Sequence, residues 1–260
     1  MNEDLSRAVV FERSVLERTA TRAEAFAWGT AYFNDRFPLS YYNNSLWVDR
    51  AGATAEALVL EADRLLGGAG LAHRELFVPE EEIGDALTPR FKELGWEAHR
   101  HLYMAHRRAP DREAEAGLVE EVAWDEIRPA VEAQVRADPH MATSEEAIRQ
   151  LVDRKDGLRP ATRARHFVAR VAGRIGSFCD LYVDGRTAQI EDVFTFEDFR
   201  GRGLASSVVL RALAIARAEG HDLVFLVADP DDWPKELYRK LGFDQIGLAW
   251  VLALWPAGGG

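Results

Sequence analysis

From Leu204 the apolar positions recur at helical spacing. Leu204, Ala205, Val208, Val209, Ala212, Ile215 and Ala216 fall on one arc of a helical wheel, and Gly220 follows as a stop. Upstream, HFVARVAGRIGSFCDLYVDGRTAQIEDVFTF contains three alternating or β-branched runs, split at Ala172-Gly173 and Asp184-Gly185. Such dipeptides turn a chain back on itself, so the pattern predicts an antiparallel meander. Beyond the helix, DLVFLVAD is an apolar run suited to a buried strand. PKELYRKLGF is a second helix, opened by Pro234 and closed at Gly242, and IGLAWVLALW is a last strand. Before the meander, LVEEVAWDEI supplies a strand and PAVEAQVRAD, after Pro129, a helix.

The first half carries a fainter copy of this order. SLWVDR places Leu46-Trp47-Val48 like Val193-Phe194-Thr195, and FKELGW places Gly95 like Gly242; Val48 to Gly95 and Thr195 to Gly242 are both 47 residues apart. An internal repeat of this kind predicts a duplicated domain. RRAPDREAEAG is polar, contains a proline and lacks an apolar period, which marks a linker. The expected boundaries are a first lobe at 1–108, a linker at 109–117 and a second lobe at 118–260. The first copy has DRAGATAE where the second has FRGRGLAS, and Phe91 where the second has Tyr238, so it is expected to be degenerate and non-catalytic.

Composition narrows the functions. With 47% hydrophobic and 29% charged residues, the 260-residue chain is of globular type. Its formal charge of −11 argues against nucleic acid as a partner and weakly favours a cationic one. The longest uncharged apolar stretch, Ile246 to Ala257, is shorter than the about 20 residues of a membrane span. No charged-then-apolar signal opens the chain, so the expected setting is cytoplasmic, without a membrane partner. A single cysteine, Cys179, excludes an intrachain disulfide and a multi-cysteine zinc site. Only Lys92, Lys155, Lys235 and Lys240 are lysines among 32 basic residues, a bias expected of a GC-rich bacterial genome.

FEDFRGRGLASS, residues 196–207, lies between a strand and the amphipathic helix. A glycine-bearing loop at a helix N-terminus offers unpaired N–H groups and the positive end of the helix dipole to an anion. The GxxxxGK[ST] and GxGxxG nucleotide loops are absent. Arg200-Gly201-Arg202-Gly203-Leu204-Ala205 instead resembles the Q/R-x-x-G-x-G/A acetyl-coenzyme A loop of the GNAT superfamily of N-acyltransferases. LYRKLGF, with Tyr238, Leu241, Gly242 and Phe243, is similar to the family's tyrosine before a "klGF" helix end, and the likeness covers roughly Leu118 to Trp255. The resemblance implies an α/β GNAT fold: a mixed, mostly antiparallel sheet flanked by helices, here in two tandem lobes. It also implies acetyl-CoA as co-substrate and no metal.

By that resemblance, the loop from Arg202 through Gly203, Leu204, Ala205 and Ser206 holds the pyrophosphate, with charge from Arg200 and Arg202. The pantetheine arm runs beside Val193, Phe194 and Thr195, where the N–H of Val193 or Phe194 polarises the thioester carbonyl. Tyr238 is the candidate general acid: a phenol of reference pKa about 10 keeps its proton at neutral pH and can give it to a thiolate of about 8.5. For the base, Glu191, Asp192 and an ordered water stay open; strand alternation sends the two carboxylates to opposite faces, so at most one meets the acceptor. Asp231 falls where many members have an asparagine touching the coenzyme arm, and an acidic residue there puts that contact in doubt.

Other features have blander readings. Cys179 is expected to be buried and structural, His99 and His101 a solvated strand edge, PEEE (Pro79 to Glu82) a solvated turn, and DPDDW no calcium loop. FPLSYYNNSLW either lines an acceptor cleft between the lobes or packs the entry to the first strand. The function expected is acetyl transfer to a primary amine of a small molecule, in a ternary complex, by a monomer or homodimer. The alternatives are a non-catalytic acyl-CoA-binding or sensing protein, and a tandem transferase acting on a thiol-cofactor precursor.

Overall fold

In the computed structural model, which describes residues 2–111 and 118–256, the described strands form one mixed sheet of eleven. In chain order they are β1 Arg22–Phe26, β2 Gly29–Phe33, β3 Ser45–Val48, β4 Arg74–Val78, β5 Glu97–His106 and β6 Val119–Val122. Then come β7 Arg165–Val171, β8 Arg174–Asp184, β9 Thr187–Thr195, β10 Leu223–Ala228 and β11 Phe243–Leu254. Their spatial order is β1-β2-β3-β4-β11-β5-β10-β9-β8-β7-β6. Only β3/β4 and β9/β10 are parallel. The helices are α1 Glu3–Thr19, α2 Ala55–Ala62, α3 Glu81–Glu93, α4 Trp124–Ala137, α5 Glu145–Thr162, α6 Leu204–Ala218 and α7 Pro234–Lys240. None of them is long and apolar enough to cross a membrane.

The two halves interleave. β11, the last strand of the second half, sits between β4 and β5, and β5, the last strand of the first, sits between β11 and β10. Both follow a left-handed glycine, Gly95 (φ 82°) or Gly242 (φ 88°), the pair picked out by the sequence repeat. A Cβ on Gly242 would also meet the Arg108 carbonyl oxygen at 2.1 Å, so that turn requires glycine twice over. The linker expected at 109–117 falls largely on residues 112–117, outside the described residues.

The meander appears as β7-β8-β9, with turns at Ala172-Gly173 and Gly185. The strand expected from LVEEVAWDEI stops at Val122, because Trp124 already begins α4, which runs on through Pro129. Trp124, Ile127, Val131 and Val135 share one buried face of that helix against Val168 and Phe178. Burying four side chains outweighs the one backbone hydrogen bond that Pro129 removes. PEEE is also more than a turn: Glu80 is the N-cap of α3, and Glu81 and Glu82 lie at the positive end of its dipole.

Candidate active site

β9 and β10 pair only through Gln189 and Phe225, yet β9 continues to Thr195 and β10 to Ala228. Beyond that point they part, and a cavity of about 680 Å³ opens between them. Val193, Phe194 and Thr195 form one wall, the loop at Gly201 and Gly203 with the first turn of α6 the end, and Leu237 and Tyr238 of α7 the other wall. On its far edge β9 is held by β8: Ser177 Oγ donates to the Phe194 carbonyl (2.7 Å), and the Phe196 N–H donates to the Gly176 carbonyl (3.0 Å). Backbone groups alternate between the edges of a strand, so the Thr195 N–H faces the cavity, with Val193 beside it on the same wall.

At the end wall, Gly201 (φ 74°) and Gly203 (φ 76°) are both left-handed, a conformation that would strain any side chain. Gly203 caps α6 with no side-chain acceptor, which leaves the first-turn N–H groups of Leu204, Ala205 and Ser206 without a side-chain cap. The first half differs at each of these points. Thr54 Oγ1 accepts from the Ala57 N–H and plugs the start of α2, and Glu56 in the first turn adds negative charge. There β3 and β4 stay paired at Leu46/Leu76 and Trp47/Phe77, and the Trp47 and Phe77 rings lie 4.4 Å apart where a crevice would open.

Two residues assigned to the coenzyme site lie elsewhere. Arg202 turns back to donate to the Asp198 carbonyl (3.1 Å) and to cover Phe199, and does not line the cavity. Asp231 is exposed and pairs with Arg100 (3.1 Å); its neighbour Asp232 reaches the cavity instead. Arg200 stands at the rim, shared with an open groove of about 1000 Å³ beneath α4. The Tyr238 ring is buried, and its hydroxyl makes no hydrogen bond among the described residues. Burial, reinforced by the charge of Glu191, raises its pKa, so it stays protonated at any physiological pH.

Glu191 and Asp192 do not point to opposite faces. Phe178 pairs with Phe194 and Asp180 with Glu191, so two residues of β9 stand opposite Cys179 in a β-bulge, and Asp192 is left-handed (φ 54°). The bulge breaks the alternation and brings both carboxylates to the face covered by α1 and α5. There they differ in partners. Asp192 is bound by Lys155 Nζ and by the Tyr182 hydroxyl (3.1 Å). Among the described residues Glu191 accepts only from the Gln189 amide (2.7 Å), which also donates to Glu12 (3.1 Å). Burial first, then the nearby charges of Asp192 and Glu12, push the Glu191 carboxyl up to about 8.

The sequence reading missed Lys155. It is 3% exposed and lies on α5, with Nζ 2.6 Å from Asp180 and in contact with Asp192. Asp180 is itself 1% exposed and also binds His166 Nδ1 (2.7 Å). The signal that could have found this lysine is Asp180 inside SFCDLYV, a carboxylate in mid-strand that needs a cation. Cys179 is buried as expected, and burial pushes its thiol pKa well up.

Residues 124–243 match the model of the acetyltransferase (GNAT) family. This stretch is a GNAT domain. Over 68 residues the chain is 34% identical to CgeE, an uncharacterized N-acetyltransferase of Bacillus subtilis (strain 168). That match spans 25% of this chain and 26% of the relative's length. A functionally unknown conserved protein from Staphylococcus epidermidis shares the fold over 90% of this chain and 93% of its own, with TM-score 0.72 and 16% identity. A tandem GNAT protein from the clavulanic acid biosynthesis pathway does so over 87% and 78%, with TM-score 0.57 and 15% identity. The fold likeness therefore extends beyond the matched stretch into the first half.

The buried carboxyls have a consequence for stability. Burial pushes Glu12 and Glu75 up to about 7, alongside Glu191 at about 8, so the folded chain holds more protons than the unfolded one between pH 4.5 and 8. His73 and His101, pushed down to about 4 by burial, act in the opposite sense below pH 6.5. From pH 6.5 to 8 the acids outweigh the fading effect of the histidines, and stability is expected to fall by on the order of 2 kcal/mol. Urea unfolding at the two pH values measures it; equal or greater stability at pH 8 would refute the assignment.

Proposed function

We propose that the chain transfers an acetyl group from acetyl-CoA to a primary amine of a small molecule, by direct attack within a ternary complex. The observation that carries the reading is the parted β9/β10 edge, which ends at an uncapped helix N-terminus and faces a buried, unpartnered tyrosine. In this reading the first-turn N–H groups of α6 bind the pyrophosphate, aided by Arg200 at the rim. The N–H of Val193, which lines the cavity beside the bulge, stabilises the oxyanion of the tetrahedral intermediate. Glu191 takes the proton from the ammonium, and Tyr238 supplies one to the departing thiolate. The first lobe, with its capped helix and closed strand pair, carries no second coenzyme site.

The test is release of free coenzyme A thiol from acetyl-CoA across a panel of small amines. Amine-dependent turnover is expected, with Tyr238→Phe slowing it about 10- to 100-fold while KM for acetyl-CoA stays within about twofold. Tight acetyl-CoA binding with no turnover for any amine would favour a sensing role instead. A Tyr238→Phe enzyme of unchanged rate would remove the tyrosine as acid.

A further inference from the structure

A second cavity, of about 250 Å³, lies in the first half on the α1 face of the sheet. Its floor is Val251 on β11, too short to fill the space between its neighbours. Val251 lies between Phe77 on β4 and His99 on β5, and Ala253 lies beside Glu75. The walls are therefore rings: Trp47 against Phe77 (4.4 Å between centroids), His101 beside Phe77 (6.2 Å), and His99 stacked on Trp255 (5.1 Å). Tyr42 completes them. Among the described residues, the one carboxylate lining this aromatic box is Glu75, 9% exposed and without an ion pair.

We propose that this box binds a small organic ammonium ion, its charge set against Glu75 and its alkyl groups against the rings of Trp47, Trp255 and Tyr42. Ring faces attract a desolvated cation, and a carboxylate at one wall of such a cage selects a cation over a neutral molecule of the same shape. The cavity is just below the about 300–1,000 Å³ usual for drug-sized ligands, so it suits a compact head group. Burial keeps His101 neutral, so it lends a ring and no competing charge. Burial also pushes the Glu75 carboxyl up to about 7, only partly offset by the Trp255 indole, so an incoming cation favours the ionised form. Tyr42 also lines a smaller cavity of about 150 Å³ beside Arg154, and the charges of Glu12, Glu191 and Glu75 all act on it.

The inference does not depend on the transfer reading, since binding requires neither acetyl-CoA nor turnover. Choline is titrated into the full chain, followed by calorimetry and by tryptophan fluorescence, with 3,3-dimethylbutan-1-ol as its uncharged isostere. Saturable choline binding is expected, with the isostere at least about tenfold weaker. Glu75→Gln should weaken choline binding by a similar factor, while the parent's circular dichroism spectrum and cooperative urea unfolding show that the variant is folded. Equal affinity for choline and its isostere, unchanged affinity in Glu75→Gln, or no saturation by about 50 mM choline would each overturn the proposal.

Discussion

Glu191→Gln is expected to lower kcat by about 10²- to 10³-fold, the usual worth of a positioned general base, with KM for acetyl-CoA little changed. The substitution keeps the shape of the side chain and an oxygen that can accept from Gln189, and removes only the ability to take a proton. The pH profile separates this from a structural effect. Because burial and the charges of Asp192 and Glu12 hold the carboxyl at about 8, it is mostly protonated at pH 7, and kcat/KM should climb as pH rises through about 8. In Glu191→Gln that limb should vanish. Asp192→Asn should keep it, since Asp192 is already engaged by Lys155 and Tyr182 and its loss disturbs the bulge instead. If the limb persists in Glu191→Gln, the proton goes to water and the carboxylate only shapes the pocket.

The parts of this site that were legible in the sequence are those encoded over short distances. A loop carrying Gly201 and Gly203 ahead of an apolar helical period, and a tyrosine one turn before Gly242, are each specified by about a dozen residues. The repeat was legible for the same reason, as two copies of a local strand-to-glycine spacing. The interleaving of β5 and β11 was not, because both strands carry the same pattern whether they pair within their own half or across. The faces of Glu191 and Asp192 were misjudged because period-2 alternation assumes an unbroken ladder, and nothing local marks a bulge opposite Cys179. Lys155 sits in RQLVDRKDGLRP, where every neighbouring polar residue suits a solvated helix face; only two carboxylates brought over from β8 and β9 draw it inside.

Those two carboxylates make Lys155→Met the substitution with the largest expected cost in stability. Removing one partner of a buried ionic cluster leaves the others uncompensated, a loss of about 3–5 kcal/mol, against a total of about 5–15 kcal/mol for an ordinary domain. Burial alone would push the Lys155 ammonium down, but Asp180 and Asp192 outweigh it and hold it at about 12. Its contribution is thus complete below its unfolded value of about 10.5 and fades only as pH rises through 12. In Lys155→Met the buried Asp180 carboxylate loses the cation that keeps it ionised and must take up a proton to stay buried, so the deficit should be greatest above pH 7 and shrink as pH falls towards 4. The triple variant with Asp180→Asn and Asp192→Asn should recover much of the loss, because no buried charge is then left alone. Urea unfolding of the single and triple variants decides it, and a single variant within about 1 kcal/mol of the parent would refute the role. The cluster also bears on catalysis. Lys155 binds Asp192, the left-handed residue of the bulge next to Val193, whose N–H is the oxyanion donor in the proposed mechanism. Whatever fraction of Lys155→Met remains folded should therefore lose more in kcat than in KM for acetyl-CoA, since an oxyanion donor acts in the transition state rather than in the bound complex.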